Sequence, residues 1–377
     1  MQALVLVGGE GTRLRPLTSL RPKPVVPLVD RPFIRYMIDW LARHGVTEVV
    51  LACGFRADSL RAELGESVPG GPSLRYLSEP EPRGTAGAIK FAADVLEDRF
   101  LALNGDLLTD LDLTALVGHH EQAGAVATLG LVGVDDPSAF GLVRRDDAGV
   151  ISEFLEKPTA DQIDTDEVNA GCYVLQREVL DLVPEGQPCS IEREVFPRLV
   201  GHGLHGVRLE GYWKDIGTPE TYLQATRDVL VSRVETDLTP RLGTRSKMVE
   251  SDVEVGSGAV LVPPVAVLSG ASVGANARVG PNTVVAAGAR VGADATVERS
   301  VVLAGAAIGA RSVVRDAILA PGAQVGEDAS ATDGAVVGEG VTVGHGNHLA
   351  RGIRVSPGVE LPPDGVRFGP PARKDPS

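Results

Sequence analysis

The chain has 377 residues, 43% of them hydrophobic, enough apolar material for ordinary cores and more length than one typical domain needs, so two domains are expected. Its 50 acidic residues outnumber 36 basic ones for a formal net charge of −14, which works against nonspecific nucleic-acid binding and obliges an anionic substrate to find local cations or a metal. No basic start precedes an apolar leader core, no apolar run is long enough for a bilayer, and Cys53, Cys172 and Cys189 lack CxxC spacing; these features exclude a membrane partner and point to a cytoplasmic protein with reduced thiols.

In chain order, residues 3–7 form an apolar strand that feeds Gly8-Gly9-Glu10-Gly11-Thr12-Arg13. Glycines in such a turn let backbone N–H groups approach phosphate oxygens, and Arg13 adds a fixed cation of matching geometry. The run is not a Walker A loop, because no Gly-Lys-Ser/Thr ends it, and it lacks the third glycine of a dinucleotide fingerprint. Lys23 follows between Pro22 and Pro24, which stiffen its backbone. Residues 33–44 have helical spacing, with Phe33, Met37, Trp40 and Leu41 on one side and Gly45 as the stop. A strand over 48–52 comes next, then a helix over 85–96 capped by Thr85, then a strand over 100–103 ending in Asn104-Gly105-Asp106. This alternation predicts an α/β domain: a Rossmann-like, mixed but mostly parallel sheet covered by helices, with ligands at the carboxyl ends of its strands. Short strands near 141–143, 150–154 and 169–175 suggest an added lid, and 219–233 reads as a helix leaving the domain.

The second half changes character. Val255, Leu261, Val267, Val273, Val279, Val285, Val291, Val297 and Leu303 recur every six residues, and the register resumes through Val313, Leu319, Val325, Val337 and Val343. That period predicts a left-handed parallel β-helix, each aliphatic side chain stacking on its neighbour one coil away. The expected domains are therefore 1–235, 245–345 for the β-helix, and a Gly/Pro-rich tail over 346–377.

The glycine turn with Lys23-Pro24-Val25-Val26-Pro27, Glu79-Pro80-Glu81-Pro82-Arg83-Gly84-Thr85, Asn104-Gly105-Asp106, Glu156-Lys157-Pro158, Asn169-Ala170-Gly171 and Trp213-Lys214-Asp215 together resemble the motifs of the sugar-1-phosphate nucleotidylyltransferases. Within that family the chain looks most like the mannose-1-phosphate guanylyltransferases. The resemblance implies a nucleotidyltransferase domain that joins a nucleoside triphosphate, here GTP, to a sugar 1-phosphate and releases pyrophosphate, with Mg²⁺ as cofactor, while the flat faces and open ends of the β-helix, which need covering, point to a homo-oligomer. It implies Arg13 and Lys23 as catalytic cations and Leu6, Gly8, Gly9, Gly11, Thr12, Glu79, Gly84 and Thr85 around the nucleotide. Gly141, Glu156, Lys157 and Asn169 would then meet the sugar phosphate, and Asp106 and Asp215 the metal. Taken alone, Asn104-Gly105-Asp106 is also a turn, Asp215 also a capping element, and Glu156-Lys157 also an exposed charge pair.

Thymidylyltransferases of this group tend to carry glutamine where Glu79 stands. A carboxylate accepts from both N1–H and N2–H₂ of guanine, whereas thymine and uracil offer one N–H between two carbonyls. Arg83 departs from the usual leucine of this loop. The other readings are a glucose-1-phosphate thymidylyl- or uridylyltransferase, a noncatalytic nucleotide-sugar-binding regulator, and a β-helix that is itself the working part, as an acyltransferase through His345 or His348 or as an assembly scaffold. His44, His119, His120, His202 and His205 read as helix ends or surface loops, and Arg15 and Arg21 as surface charges.

Overall fold

A computed structural model describes residues 1–54 and 57–366. Contacts group the chain into two compact units. Met1–Glu10 joins Ile34–Asp215, and Gly11–Phe33 joins the chain from Ile216 onward. The expected boundary near 235 thus differs from the one that contacts draw, which moves the segment after the first glycines into the second unit.

The first unit is built on a nine-stranded sheet. Ser73–Ser78, Glu48–Cys53, Gln2–Leu6 and Arg99–Asn104 are neighbours and all parallel. Ala3, Leu4 and Val5, like Val49, Val50 and Leu51 beside them, are wholly buried, as expected of strands covered on both faces. Glu167–Gln176 then runs antiparallel to Arg99–Asn104 and to Ala127–Gly133, and Leu204–Arg208 closes that side parallel to Ala127–Gly133. The strands expected as a lid are part of this same sheet: Gly141–Arg145 pairs with both Glu167–Gln176 and Ile151–Glu156. A lid would need its own buried face, and Leu142, Val143, Ile151 and Phe154 instead bury theirs with the rest of the sheet.

The helix Phe33–Arg43 lies where its apolar spacing puts it and turns off at Gly45, which takes a left-handed φ of +77°. Trp40 is buried and donates its Nε1–H to the Leu111 carbonyl at 2.9 Å. A short helix, Ala57–Leu64, follows, and the helix expected over 85–96 departs from expectation. It spans Gly84–Phe91 and continues only as a 3₁₀ turn, Ala93–Val95. Among the described residues no helix is long and apolar enough to cross a membrane.

In the second unit, strands of two or three residues stack into three parallel sheets, a parallel β-helix. Val267 pairs with Val285, and Val273 with Val291, offsets of 18 residues or three hexads. Two sides are one residue short. Val285 pairs with Val302 and Val302 with Leu319, offsets of 17. The slip therefore falls before Leu303: Val302 and Val314, rather than Leu303 and Val313, belong to the buried core column. At the two short corners Arg299 and Asp316 adopt left-handed φ of +48° and +47° and form a two-pronged ion pair at 2.8 Å per contact. The tail expected from 346 begins later. His348–Leu349, Arg354–Val355 and Glu360–Leu361 extend the three ladders, because Leu349 and Val355 continue the buried column. The remainder of that segment, 367–377, lies outside the described residues.

Candidate active site

Four parallel strands end on one edge of the first unit's sheet, and each hands on to a site loop. Gln2–Leu6 leads to Gly8, Glu48–Cys53 to Gly54, Ser73–Ser78 to Glu79, and Arg99–Asn104 to Asp106. This is the edge where ligands of parallel sheets bind. A methyl group on Gly8 would lie 3.3 Å from the Gly54 nitrogen, a tight approach to backbone, and 3.6 Å from Glu79 Oε1, an ordinary contact, so the turn runs close beside both. Nothing lies within 4 Å of the same position on Gly9. Gly105 donates its N–H to the Leu6 carbonyl at 2.9 Å, and a side chain there would meet that oxygen at 2.5 Å. Leu6 thus commits its oxygen to the turn that presents Asp106.

Trp213–Asp215 pairs antiparallel with Leu107–Thr109, and Asp215 stands opposite Leu107. Register therefore places the Asp215 backbone opposite the residue that directly follows Asp106. Trp213 fixes this ladder, donating Nε1–H to the Ala170 carbonyl at 2.8 Å and meeting the Phe140 ring edge-on at 5.2 Å. Gly171, with φ of +71°, packs so closely on Asn104 that a side chain would lie 2.7 Å from its Nδ2. The Asn-Ala-Gly and Asn-Gly-Asp motifs are thus in direct contact. Asn169 accepts the Gly171 N–H and donates to the Tyr173 hydroxyl, both at 2.9 Å, which orients its amide.

Gly141 sits opposite Glu156 across an antiparallel pair, and a methyl group on it would come within 3.1 Å of Glu156 Oε2. The next residue, Lys157, adopts φ of +54° and gives its N–H to the Phe140 carbonyl at 2.9 Å. A lysine held in the left-handed region stores backbone strain, a pattern concentrated at functional sites. Burial pushes the Glu156 carboxyl above its ordinary range, and the Glu192 charge adds to that, while Lys157 and Arg193 oppose it.

Glu192 and Arg193 were not among the sequence candidates. They lie on a π-helical turn, Ile191–Val195, a rare form often found at functional sites. Thr85 shows why that turn matters. It is not the cap of its helix; the residue in the cap position is Arg83, with no side-chain capping bond. The Thr85 hydroxyl instead donates to Glu192 at 2.7 Å and accepts the Ile191 N–H at 2.8 Å. Gly84, at φ +68°, would place a side chain 2.6 Å from the Cys189 carbonyl, which the Ala86 and Gly87 N–H groups hold. Burial raises the Glu79 carboxyl above its ordinary range, and the Arg83 N–H and guanidinium pull it back. Cys53 beside it is pushed up to about 12, by burial first and by Glu79 second, and so is an inert thiol.

The remaining candidates belong to the second unit. Gly11 is left-handed at φ +60° and opens a 3₁₀ turn over Thr12–Leu14. A side chain on it would come within 3.1 Å of both Lys23 Cβ and Thr18 Cγ2, and the Thr18 hydroxyl donates to the Gly11 carbonyl at 2.8 Å. Gly11, Thr18 and Lys23 are thus one packed turn, with Thr12 and Arg13 exposed on it. Arg21, read as a surface charge, pairs with Glu339 at 2.6 Å.

Among the described residues no group of three or more His, Cys, Asp and Glu side chains is placed to hold a metal. Mg²⁺ needs only one or two carboxylates besides water and phosphate oxygens, and Asp106 and Asp215 are the two carboxylates that flank this ladder. Two histidine expectations change. His120 is 1% exposed, with Nδ1 at 2.9 Å from the Thr128 hydroxyl and Nε2 at 3.1 Å from the Gln176 amide, so it is a core residue. His348 lies on a regular coil, 2.9 Å from the Ser330 hydroxyl one coil away, and not in a tail.

Residues 2–232 match the family model described as Nucleotidyl transferase, and residues 248–362 the one described as GMPPB C-terminal domain. The chain is 38% identical over 275 residues to the Mannose-1-phosphate guanylyltransferase of Mycobacterium tuberculosis, covering 72% of this chain and 76% of that one. It is 39% identical over 276 residues to the Mannose-1-phosphate guanyltransferase of Kluyveromyces lactis, covering 71% and 73%. Among solved structures it resembles HddC from Yersinia pseudotuberculosis complexed with GMP-PN, with 27% identity and a TM-score of 0.53, over 60% of this chain and 99% of that one.

Proposed function

Since this chain belongs to the nucleotidyl transferase family, and is a sugar-1-phosphate nucleotidylyltransferase, we propose that it joins GTP to mannose 1-phosphate, giving GDP-mannose and pyrophosphate. The observation that carries the choice of GTP is the buried Glu79 carboxylate beside Gly8, at the carboxyl edge of the parallel strands. It accepts from the N1–H and N2–H₂ of guanine, an edge that no other common base presents in the same way. The names of the M. tuberculosis and K. lactis relatives support the same base and sugar.

In this reading the backbone N–H groups of Gly8, Gly9, Gly11 and Thr12 cradle the triphosphate. Leu6, Gly84 and Thr85 frame the base by main chain, since the Thr85 hydroxyl is held by Glu192 and Ile191. Lys157 places the sugar phosphate, with Gly141, Glu156 and Asn169 toward the sugar. A phosphate oxygen of the sugar phosphate attacks the α-phosphorus, the bond to the bridging oxygen breaks, and pyrophosphate leaves. Arg13 and Lys23 offset the charge that builds on the α-phosphate and the leaving group. Asp106 and Asp215 would hold Mg²⁺, which when bound supplies further charge neutralisation. No enzyme nucleophile is needed, and positioning supplies much of the rate.

The test is pyrophosphate release by the purified protein, crossing GTP, dTTP, UTP, CTP and ATP with mannose, glucose and glucosamine 1-phosphates. Turnover confined to GTP with mannose 1-phosphate is expected. Turnover with dTTP or UTP instead would overturn the assignment of Glu79, and turnover with another sugar the assignment of mannose.

A further inference from the structure

The 3₁₀ turn at 12–14 closes on itself. Leu14 donates to Gly11, Arg15 to Thr12, and Leu17 to Leu14. These bonds leave the carbonyls of Arg13 and Arg15 to be met from elsewhere, and both are met by one side chain. Arg354, on the strand Arg354–Val355 of the β-helix, donates from one guanidinium nitrogen to the Arg13 carbonyl at 2.8 Å and the Arg15 carbonyl at 3.3 Å. One coil earlier, Glu339 takes Arg21 at 2.6 Å. The same segment is therefore held at two points by adjacent coils. The Arg354 charge also reaches Glu220, whose carboxyl is lowered by its own backbone N–H, by the Thr218 hydroxyl and, less, by Arg354. Glu220 opens the helix Pro219–Leu230 that follows Asp215. Arg354 thus stands between the turn carrying Arg13 and the start of the helix after Asp215.

We infer that Arg354 is a positioning residue for nucleotidyl transfer: by holding the two carbonyls that flank Leu14, it fixes the direction in which the Arg13 guanidinium is presented. A guanidinium suits this task because its planar, permanently charged fork has two acceptors within reach at once, whereas an exposed side chain of a β-helix has no packing reason to reach a phosphate-binding turn. The inference rests on the reading of Arg13 as a catalytic cation, and it assigns to the β-helix a direct part in setting the reaction rate.

The test uses the full chain with Arg354→Ala, Arg354→Lys and, as control, Arg311→Ala. Arg311 forms equally close ion pairs with Asp328 and Glu327 but touches no residue of the turn. Two readouts are taken. Amide hydrogen exchange of Leu14, Arg15 and Leu17 should quicken about tenfold or more in Arg354→Ala, and pyrophosphate release should lose about 10- to 100-fold in kcat, the penalty of a slightly misplaced catalytic group. The KM for the sugar 1-phosphate should stay within about twofold. Arg354→Lys, which keeps the charge and a donor, should recover most of both losses, and Arg311→Ala should show neither. Unchanged exchange in Arg354→Ala overturns the inference whether or not activity falls, and so does faster exchange with unchanged kcat. If the unaltered protein turns over no nucleotide and sugar pair, the proposed function fails, while the exchange experiment still decides whether Arg354 holds the turn.

Discussion

Asp215 stands directly across a three-residue antiparallel ladder from Leu107, the residue that follows Asp106. Two aspartates 109 positions apart in sequence thus have their backbones brought near one another by this pairing, with a buried turn at Gly105 on one side and Trp213 on the other. If they hold Mg²⁺, Asp106→Asn and Asp215→Asn should each lower kcat by about 100-fold or more, the order expected when a charge-stabilising contact of a few kcal/mol is lost. Thermal melts should move by only a few degrees. Unchanged turnover in both variants would remove the metal assignment.

Glu79 should make the reaction sensitive to acid. Its carboxyl is raised by burial, so it takes up a proton at higher pH than a free glutamate, and the protonated form loses an acceptor for guanine. The KM for GTP should therefore climb as pH falls, starting above the ordinary glutamate range. Glu79→Gln should abolish that climb and move preference from GTP toward dTTP and UTP, because an amide offers one donor and one acceptor. Steady-state kinetics with the three nucleotides from pH 8 to pH 5 decide the matter.

Neighbouring glycines of the turn should respond differently to alanine. Gly11 is left-handed and hemmed in by Lys23 and Thr18, so Gly11→Ala should cost about 1–2 kcal/mol from backbone strain alone. Gly9 has open space and no left-handed φ, and Gly9→Ala should stay within about 0.5 kcal/mol. Urea unfolding of the two variants checks the contrast. Equal costs would mean that Gly11 is not required for its conformation.

His120 gives a pH term unrelated to catalysis. The Gln176 amide donates to its Nε2, so Nδ1 carries the proton toward Thr128 and the ring is neutral. Burial is the main cause that lowers its pKa to about 4, with Arg99 next. A histidine whose folded pKa lies below its unfolded value stabilises the fold above the unfolded value, near 6.5, and loses that contribution as pH falls toward 4. Melting temperatures should therefore drop through that window, and His120→Gln should be less stable at pH 7 but show a flatter decline.

The motifs at strand ends were legible because each carries its own local chemistry: glycines where the backbone must turn beside another strand, and a carboxylate directly after. The partners of those motifs were not. Glu192 meets Thr85 across 107 positions, through a π-helical turn that no periodicity announces. Arg354 meets Arg13 across 341 positions, and in sequence it is one more charged residue on a coil. The β-helix was legible as a period of six, yet its exact register was not. Val302 and Leu303 are both aliphatic and both buried, so only the pairing of Val302 with Leu319 reveals which one faces the column. Thr85 misled for a related reason: a threonine before a helix satisfies the pattern of a cap, and a distant carboxylate outcompeted the helix for its hydroxyl.

The two shortened corners of the β-helix have a meaning for how the stack is assembled. Coils so alike in sequence can pair one rung out of place while the chain folds, because each ladder is short and each column aliphatic. Arg299 and Asp316 break that equivalence. They sit at the only two five-residue sides among the described coils, 17 residues apart, and their two-pronged pair forms only when those two corners are stacked on each other. The pair works as a registration mark, telling otherwise interchangeable rungs which neighbour is their own.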